Sequence, residues 1–511
     1  MPPFNLDLTD PKPAAVEAAM ADAVKAANGK ARIGLLTADL ADFRKFLAGE
    51  FAAPEGVMMW LSDQGRVDAY PPTPRGTLLG VVWRTTALGR AVRVVGRRIE
   101  PFQEGPSHRF GPPYRPWPPL CHLDPDHVVT RQLAGAGPEV IAVCACGEVG
   151  PPDELAWEAG GVCGPCHDHK EDTGSPLPPA FGPPALRTEG QLRRVGWLPS
   201  GDRLAAWQWL PGSYDTASSQ LAVWDRWSGE CQAARPGGSR KAVPRTTFAK
   251  GLVLSAGGPC WIPAKGAPAS LPDFDDHYMD MAFHGGTAAV LQYGGEVSRR
   301  DLTDEGHWEP CWPARRGDDE DGYYSITFAP TGGRVALGRR GGVIDLLDWP
   351  GGGGPTLRPE AAEARLEDYR VHALAFSPDG KHLAAANGLS GFVEDPAQEW
   401  YCWGGSLHLF EVEKGECVAR FPRERDDILT VAFSPDGDLL FSGATDCQIR
   451  VIDVASRLEI AVLCGHVGCV NHLAFSPDGE TLASAGGDGL VRLWPWRRVL
   501  GRPVPKARKK R

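Results

Sequence analysis

Four cysteines fall in two closely spaced pairs in the first third of the chain. Cys144 and Cys146 stand in VCACGEV, and Cys163 and Cys166 stand in VCGPCHDH, which gives a CxC-x16-CxxC arrangement. Two thiolates on each of two turns can converge on four tetrahedral positions, and the glycine beside each pair lets backbone N–H groups approach the sulfurs. The spacing predicts one Zn²⁺ per chain bound by these four cysteines. Four thiolates leave no position open for water, so we expect the zinc to be structural.

The surroundings of the cysteines bear on the alternatives. About 50 residues around them hold too little apolar content for a core of their own, so a metal cross-link would stabilise them. The segment resembles a zinc ribbon or a treble-clef finger. A redox CxxC is the alternative, but no thioredoxin-like strand and helix surround Cys163 and Cys166. Because CxC is less usual than CxxC, one ligand could instead be His167, His169 or the Cys121-His122 pair.

A second group of metal-ligand types is DFDDHYMD at 273–280, which offers four carboxylates and His277. Its spacing matches no known metal-binding loop. We therefore interpret 273–280 as a solvated loop between strands.

Charge and composition limit the function classes. The chain has 511 residues and a formal net charge of -10, which opposes global binding to nucleic acid or to an anionic membrane. Two segments are basic, however: the arginines between Arg75 and Arg98, and the tail after Trp496. No signal peptide and no run of 18 apolar residues are visible, so we expect a cytoplasmic protein with reduced cysteines.

Repeats dominate the C-terminal two-thirds. The hexapeptide AFSPDG occurs at 375–380, 432–437 and 474–479, each time followed by a short apolar segment and then an alternating one. Period-two alternation broken by Pro-Asp-Gly turns predicts short antiparallel strands. Weaker copies precede these, and the spacing between successive copies runs from 35 to 57 residues over the whole series. The aromatic markers of the copies define seven repeat units, numbered in chain order: Trp197, Phe248, Phe283, Phe328, Phe376, Phe433 and Phe475.

These units resemble the WD-repeat family, whose repeat of about 40–45 residues folds as one four-stranded blade. The resemblance covers about 186–498 and implies a mainly β fold, a seven-bladed WD-repeat β-propeller. Unit seven carries the family's residue types at His466, Ser484, Asp488 and Trp494, which the resemblance assigns to a structural tetrad inside the blade. A Ser, a His and an Asp also suggest a hydrolase, but no GxSxG nucleophile elbow accompanies them.

Unit seven shows only three recognisable strands. A sheet left open would expose edge strands, which radial closure protects. The segment ALRTE at 185–189 precedes unit one. We therefore expect it to pair with the strand at 490–496 and to close the ring.

Patterning divides the chain into six parts. They are a small α+β domain (1–100), a Pro-rich linker (101–120), a four-Cys zinc module (121–173), a second Pro-rich linker (174–184), the propeller (185–498) and a basic tail (499–511). The first part combines helix patterns near 10–28 and 37–49 with strand patterns that include 32–37 and 91–99.

Two loops of the repeats are enlarged and aromatic. In WD-repeat propellers, loops joining the second and third strands of a blade emerge on the same face as the connections between blades. Large aromatic side chains bury much area at little entropic cost, so we expect them to bind a protein or peptide partner. The alternative is that the rings fold down over their own loops. The candidate partner-binding residues are Trp209, Tyr214, Phe392, Trp400, Tyr401 and Trp403.

The expected function is a non-catalytic scaffold for protein–protein interactions. The first alternative is a nucleic-acid-associated regulatory protein that uses the zinc module and the basic segments, but acidic residues surround the cysteines. The second is a propeller enzyme with a site in the channel, against which no unit repeats a His, Asp or Glu toward the channel. We therefore expect no enzymatic activity.

Overall fold

The computed structural model describes short strands between 33 and 101, residues 128–150 except 137–138, residues 166, 172 and 173, and residues 183–503 with gaps. The gaps are 189–190, 210–217, 240–247, 250–251, 256–257, 262–268, 271–277, 293–294, 302–308, 313–321, 359–369, 389–404, 423–426, 446 and 467–468. No helix in these ranges is long and apolar enough to cross a membrane.

The N-terminal strands form two small sheets. Strands β1 (Ile33–Thr37) and β2 (Val57–Ser62) are parallel, and β3 (Leu78–Leu79) pairs with β2. Strands β4 (Val92–Val95) and β5 (Arg98–Pro101) form a hairpin, where the sequence predicted one strand over 91–99. Gly96 lies between them and is the residue type that tight hairpins favour. The predicted helices near 10–28 and 37–49 lie outside the described residues.

Three further strands precede the repeats: β6 (Val128–Leu133), β7 (Glu139–Val143) and β8 (Val149–Gly150). The repeats follow, preceded by β9 (Ala185–Arg187). Unit one has β10 (Gln191–Trp197), β11 (Arg203–Trp209), β12 (Ser218–Asp225) and β13 (Cys231–Ser239). Unit two has β14 (Phe248–Ala249), β15 (Leu252–Ser255), β16 (Gly258–Trp261) and β17 (Ala269–Ser270). Unit three has β18 (Tyr278–His284), β19 (Thr287–Gln292), β20 (Val297–Asp301) and β21 (Glu309–Trp312).

The later units continue the pattern. Unit four has β22 (Tyr323–Phe328), β23 (Arg334–Arg339), β24 (Ile344–Asp348) and β25 (Thr356–Leu357). Unit five has β26 (Arg370–Phe376), β27 (His382–Gly388), β28 (Ser406–Glu411) and β29 (Glu416–Pro422). Unit six has β30 (Ile428–Phe433), β31 (Leu439–Ala444), β32 (Gln448–Asp453) and β33 (Leu458–Cys464). Unit seven has β34 (Val470–Phe475), β35 (Leu482–Gly486) and β36 (Leu490–Trp494).

The repeats form a mainly β propeller, but not seven separate four-stranded sheets. Six separate four-stranded sheets are present in the described part of the chain. Unit six is instead part of a seven-stranded sheet in the order β30-β31-β32-β33-β6-β7-β8. The prediction of seven separate blades is therefore wrong in its count, because the preceding strands extend unit six.

The AFSPDG turns explain why the first two strands of a unit form a hairpin. In unit six, Ser434 Oγ donates to Asp436 Oδ1 at 2.5 Å and accepts from Leu439 N at 2.9 Å. Gly437 adopts a φ of 79°, in the left-handed region that glycine tolerates best. The polar turn residues thus bond one another, and the apolar residues on either side enter the sheet.

The ring closes as the sequence predicted. Strand β9 pairs antiparallel with β36, with Leu186 opposite Val491. The first strands of units seven and one, β34 and β10, also pack together. Trp197 Nε1 donates to Ala474 O at 3.0 Å across this junction. A distant segment therefore supplies the fourth strand of unit seven.

The strands before the repeats share the propeller's core. Strand β6 pairs antiparallel with β33, from Leu133 opposite Ala461 to Thr130 opposite Cys464. Val129 and Ile141 are buried in the same apolar cluster as the side chains of units six and seven. This pairing covers the outer edge of unit six, which would otherwise present unpaired backbone groups.

One short helix, α1 (Trp496–Val499), follows the last strand. Trp496 is completely buried, and its ring lies 5.8 Å from the rings of Phe441 and Phe475. Leu500 is also buried, so packing continues two residues past the predicted end of the propeller at 498.

Candidate functional sites

The tetrad residues of unit seven lie together and are joined by hydrogen bonds. His466 Nδ1 lies 3.1 Å from both carboxylate oxygens of Asp488, and His466 Nε2 lies 2.7 Å from Ser484 Oγ. Trp494 Nε1 donates to the same hydroxyl oxygen at 2.8 Å. Because a carboxylate accepts, Nδ1 carries the proton, and in the neutral ring Nε2 accepts from Ser484. Every polar atom of the cluster except the peptide groups is thereby engaged.

The surroundings of the tetrad leave no room for substrate. The order of bonds is that of an Asp-His-Ser relay, but Ser484 is completely buried and its oxygen already accepts from Trp494. A Cβ at Gly486 would lie 2.2 Å from both Asp488 Oδ1 and His466 Nδ1. The cluster is therefore packed too closely for a carbonyl to reach the hydroxyl.

Units that lack the tetrad residues bury other polar clusters. In unit four, Tyr323 Oη and Thr356 Oγ1 each donate to Asp345 at 2.7 Å. In unit five, Asn387 Nδ2 lies 3.0 Å from His408 Nδ1. Burial, with a smaller contribution from nearby Arg420, lowers the pKa of His408 to about 4. Neither cluster was predicted from the sequence, because the two share no residue pattern with the tetrad.

Three of the four predicted metal ligands come together. The sulfur atoms of Cys144, Cys146 and Cys166 all lie within 4.8 Å of one another, and those of Cys144 and Cys166 are 3.8 Å apart. Cys144 and Cys146 occupy the turn between β7 and β8. A hydrogen bond with Cys144 and burial raise the pKa of the Cys146 thiol. Cys163 lies outside the described residues.

The predicted partner surface is almost wholly outside the described part of the chain. Trp209 ends β11, and only its backbone is described. The other five candidates, in the loops 210–217 and 389–404, are Tyr214, Phe392, Trp400, Tyr401 and Trp403. Their role as partner-binding residues stays a prediction.

A cavity of about 270 Å³ lies among the first strands of the units. Its charged and titratable lining residues are Arg194 on β10, Asp280 on β18, His372 on β26 and His472 on β34. The interpretation of 273–280 as a solvated loop is wrong for its last three residues, since 278–280 belong to β18 and Asp280 is buried. Asp280 and two histidines, His372 in unit five and His472 in unit seven, therefore do reach the centre of the ring, where no repeated His, Asp or Glu was expected.

Each of six first strands contains a β-bulge next to this centre. In each case the pairing with the second strand skips one residue of the first strand. Pairing resumes at the next residue, which stands three positions before the aromatic marker of the unit. A bulge re-aims the side chains that follow it. The residues at that position are Arg194, Asp280, Ser325, Ala373, Thr430 and His472. Their constant offset from the marker is the sequence signal that could have found them.

Several of these side chains also join neighbouring units. Asp280 Oδ2 accepts from Ile326 N at 3.0 Å, and Thr430 Oγ1 accepts from Leu473 N at 3.2 Å. His472 Nδ1 lies 2.9 Å from Val195 O, which fixes the proton on Nδ1 because a carbonyl oxygen accepts. The first strands are thus bonded to each other by side chains as well as packed together.

Comparison with known proteins agrees with this architecture. The model of the WD40 family (WD domain, G-beta repeat) matches 415–453 and 458–495, from β29 to the end of β36. The chain is 30% identical over 181 residues to Pre-mRNA-processing factor 19 homolog 2 of Arabidopsis thaliana, covering 34% of this chain and 30% of that protein. It is 37% identical over 134 residues to Small ribosomal subunit protein RACK1 of Candida albicans, covering 26% of this chain and 38% of that protein.

A third relative, Telomerase protein component 1 of Mus musculus, is 22% identical over 229 residues, which are 45% of this chain and 8% of that protein. The chain thus spans about a third of the length of the first two relatives and much less of the third. The chain carries WD40 repeats, and its fold is a WD-repeat β-propeller.

Proposed function

We propose that this protein is a non-catalytic scaffold that holds a protein or peptide partner on one face of its propeller. The observation that carries the proposal is the WD-repeat propeller itself, a rigid ring that presents loops from successive units. The Ser-His-Asp set of unit seven supports the non-catalytic assignment, since it is buried and bonded internally.

The binding residues in this proposal are the aromatic side chains of the enlarged loops, led by Trp400 and Trp403. Large aromatic groups at the centre of an interface contribute most of its binding energy. Replacing both by Ala should leave the melting temperature within about 2 °C of the parent, because side chains that contact a partner instead of the propeller contribute little to its stability. The same variant should lose its partner when tagged protein is co-purified and analysed for both protein and nucleic acid.

A matched control is Trp227→Ala, since Trp227 is 38% exposed and lies on the turn between β12 and β13, outside both loops. It should retain the partner. Unfolding of the double variant, or undiminished capture, would mean that the aromatic loops pack on the propeller and that the surface lies elsewhere. A partner that proves to be nucleic acid would favour the regulatory alternative.

Ion pairs at the start of the basic tail disfavour the nucleic-acid alternative. Arg497 lies 2.6 Å from Asp436, Arg498 lies 3.9 Å from Glu148, and Arg502 lies 3.7 Å from Asp453. Arginines paired with carboxylates are less available to phosphates.

We further propose that Cys144, Cys146 and Cys166, with Cys163 as fourth ligand, hold one structural Zn²⁺. The convergence of three thiols supports this assignment, because a divalent cation stabilises the thiolates that burial and crowding disfavour. The metal would fix the turn between β7 and β8, and with it the strands that cover unit six. Zinc in this position would stabilise the scaffold and take no part in catalysis.

Elemental analysis of protein purified without chelator should find about one zinc per chain, as a four-ligand site requires. Cys144→Ser should abolish that zinc, whereas Cys231→Ser, a change at an exposed cysteine elsewhere, should not. Metal-free parent protein with freely reactive Cys144 and Cys146 would overturn the proposal.

A further inference from the structure

The cavity at the centre of the ring has an uneven charge. Arg194 lines it from β10, and Asp280 is the one carboxylate among the described lining residues. One oxygen of Asp280 already accepts from Ile326 N. The remaining polar side chains that line it, those of Thr327, His372, Thr430 and His472, are uncharged or can gain a proton.

The cavity has hydrogen-bond donors besides those that already take part in hydrogen bonds between units. Thr430 Oγ1 accepts from Leu473 N, which leaves its hydroxyl proton to donate elsewhere. His472 uses Nδ1–H on Val195 O, so Nε2 of the neutral ring is the nitrogen that can take up a proton. A guanidinium, a hydroxyl and an imidazole that can become charged are the donor types that oxyanions use.

We propose that this cavity binds a compact oxyanion group, a phosphate or a carboxylate, between Arg194 on β10 and His472 on β34. The volume of about 270 Å³ admits such a group. In a site partly shielded from water, a charge-assisted hydrogen bond is stronger than at an open surface. The proposal does not depend on the partner surface of the aromatic loops.

A metal ion is a poorer fit to the same cavity. Among the described residues, the one group of three or more His, Cys, Asp and Glu ligand atoms within 4.8 Å is the cysteine cluster. Asp280, His372 and His472 therefore do not converge as metal ligands would. The alternative is that Arg194 and Asp280 contact each other and that the cavity binds no anion. The experiment must distinguish this internal contact from anion binding.

Binding should be coupled to proton uptake. Burial and repulsion by Arg194 lower the pKa of His472 well below its ordinary value, so the ring is neutral near pH 7. The charged and titratable groups that face it from the other strands are Arg194, Asp280 and His372; β22 and β30 add none to the lining. An anion beside Nε2 raises the proton affinity of the ring, so affinity should rise as the pH falls from 8 to 6, by at most about tenfold per pH unit.

The test is isothermal titration of the full-length protein with inorganic phosphate, up to about 10 mM so that millimolar affinity is detected. Acetate serves as a second probe, which separates phosphate from carboxylate preference. Arg194→Leu should weaken binding about tenfold or more, the weight of one charge-assisted hydrogen bond. Asp280→Asn, which removes the repelling carboxylate and keeps an acceptor for Ile326 N, should tighten binding several-fold.

His472→Asn should remove the pH dependence, since an amide can still donate to Val195 O but cannot become charged. Should Arg194→Leu fail to fold, Arg194→Lys keeps the charge and loses the planar donor pair, and it should weaken binding several-fold. If neither probe binds the parent, or Asp280→Asn binds no more tightly, the pair is an internal contact and the proposal fails.

Discussion

Units seven and five both bury a histidine, but they satisfy it very differently. In unit seven both nitrogens of His466 are bonded, to Asp488 and Ser484, and Trp494 completes the cluster. In the described part of unit five, His408 has one hydrogen-bond partner, Asn387. The Nε2 atom of His408 and the Oδ1 atom of Asn387 are buried without a hydrogen bond among the described residues.

The comparison indicates that the tetrad stabilises unit seven because each of its polar side chains has a hydrogen-bond partner. A buried polar group without a partner costs about 1–3 kcal/mol, which offsets what its other bond contributes. Unit five compensates with apolar packing, since Leu407, Leu409 and Phe410 on β28 are fully buried. A polar cluster in a propeller unit is therefore stabilising only when every member is engaged.

The largest expected effect concerns the fourth strand of each unit. In unit seven this strand is β9, which precedes the repeats in the chain, whereas in unit five it is β29, which follows β28. Deleting 183–190 should cost on the order of 5 kcal/mol or more, because it leaves the edge of β36 unpaired and removes the buried side chain of Leu186. Urea unfolding measures this loss. Deleting 504–511, which removes no described strand, is the control, and equal stability of the two deletions would contradict ring closure by β9.

The complete cluster should be sensitive to loss of its carboxylate. Asp488→Ala should cost about 3 kcal/mol, because it leaves buried His466 Nδ1–H without an acceptor. Asp488→Asn keeps an acceptor and should cost clearly less. Both are measured by urea unfolding, and a fully stable Asp488→Ala would show that the tetrad does not operate in this protein.

The incomplete pair should tolerate removal of both partners. Replacing Asn387 by Ala and His408 by Leu together removes two unsatisfied atoms, so the change in stability should stay within about 1 kcal/mol. The matching double change in unit seven, Ser484→Ala with His466→Leu, should cost at least about 2 kcal/mol more, since Asp488 loses the hydrogen bond from His466 and Trp494 Nε1 loses its acceptor. Equal costs would mean that completeness of bonding is irrelevant.

The smallest effect is a pH dependence specific to unit five. The pKa of His408 is about 4 in the folded protein and about 6.5 when unfolded, so the unfolded chain binds more protons in between. This stability is fully present above pH 6.5 and is lost as the pH falls toward 4. Between pH 7 and 5 the free energy of unfolding should fall by about 2 kcal/mol because of His408. The variant His408→Gln should lack this part of the pH dependence. A parent and variant with the same pH profile would contradict the buried, neutral ring.

Local sequence determined the strands, the turns and the tetrad. Pro-Asp-Gly turns and period-two alternation act between neighbours in the chain, so 375–380, 432–437 and 474–479 could be placed without a structure. The pairing of 185–189 with the last strand followed from counting three strands where the family pattern needs four. The close spacing within each cysteine pair predicted that Cys144, Cys146 and Cys166 would approach one another.

Tertiary structure decided what depends on contacts between distant segments. The pairing of β6 with β33 joins residues more than 300 positions apart, and no local pattern in either strand specifies the other. The bulges that bring Arg194, Asp280 and His472 to one cavity are set by strand register, which depends on packing across the whole ring. Sequence patterns report the face a residue occupies within its own strand, whereas the centre of a propeller is made by all the units at once.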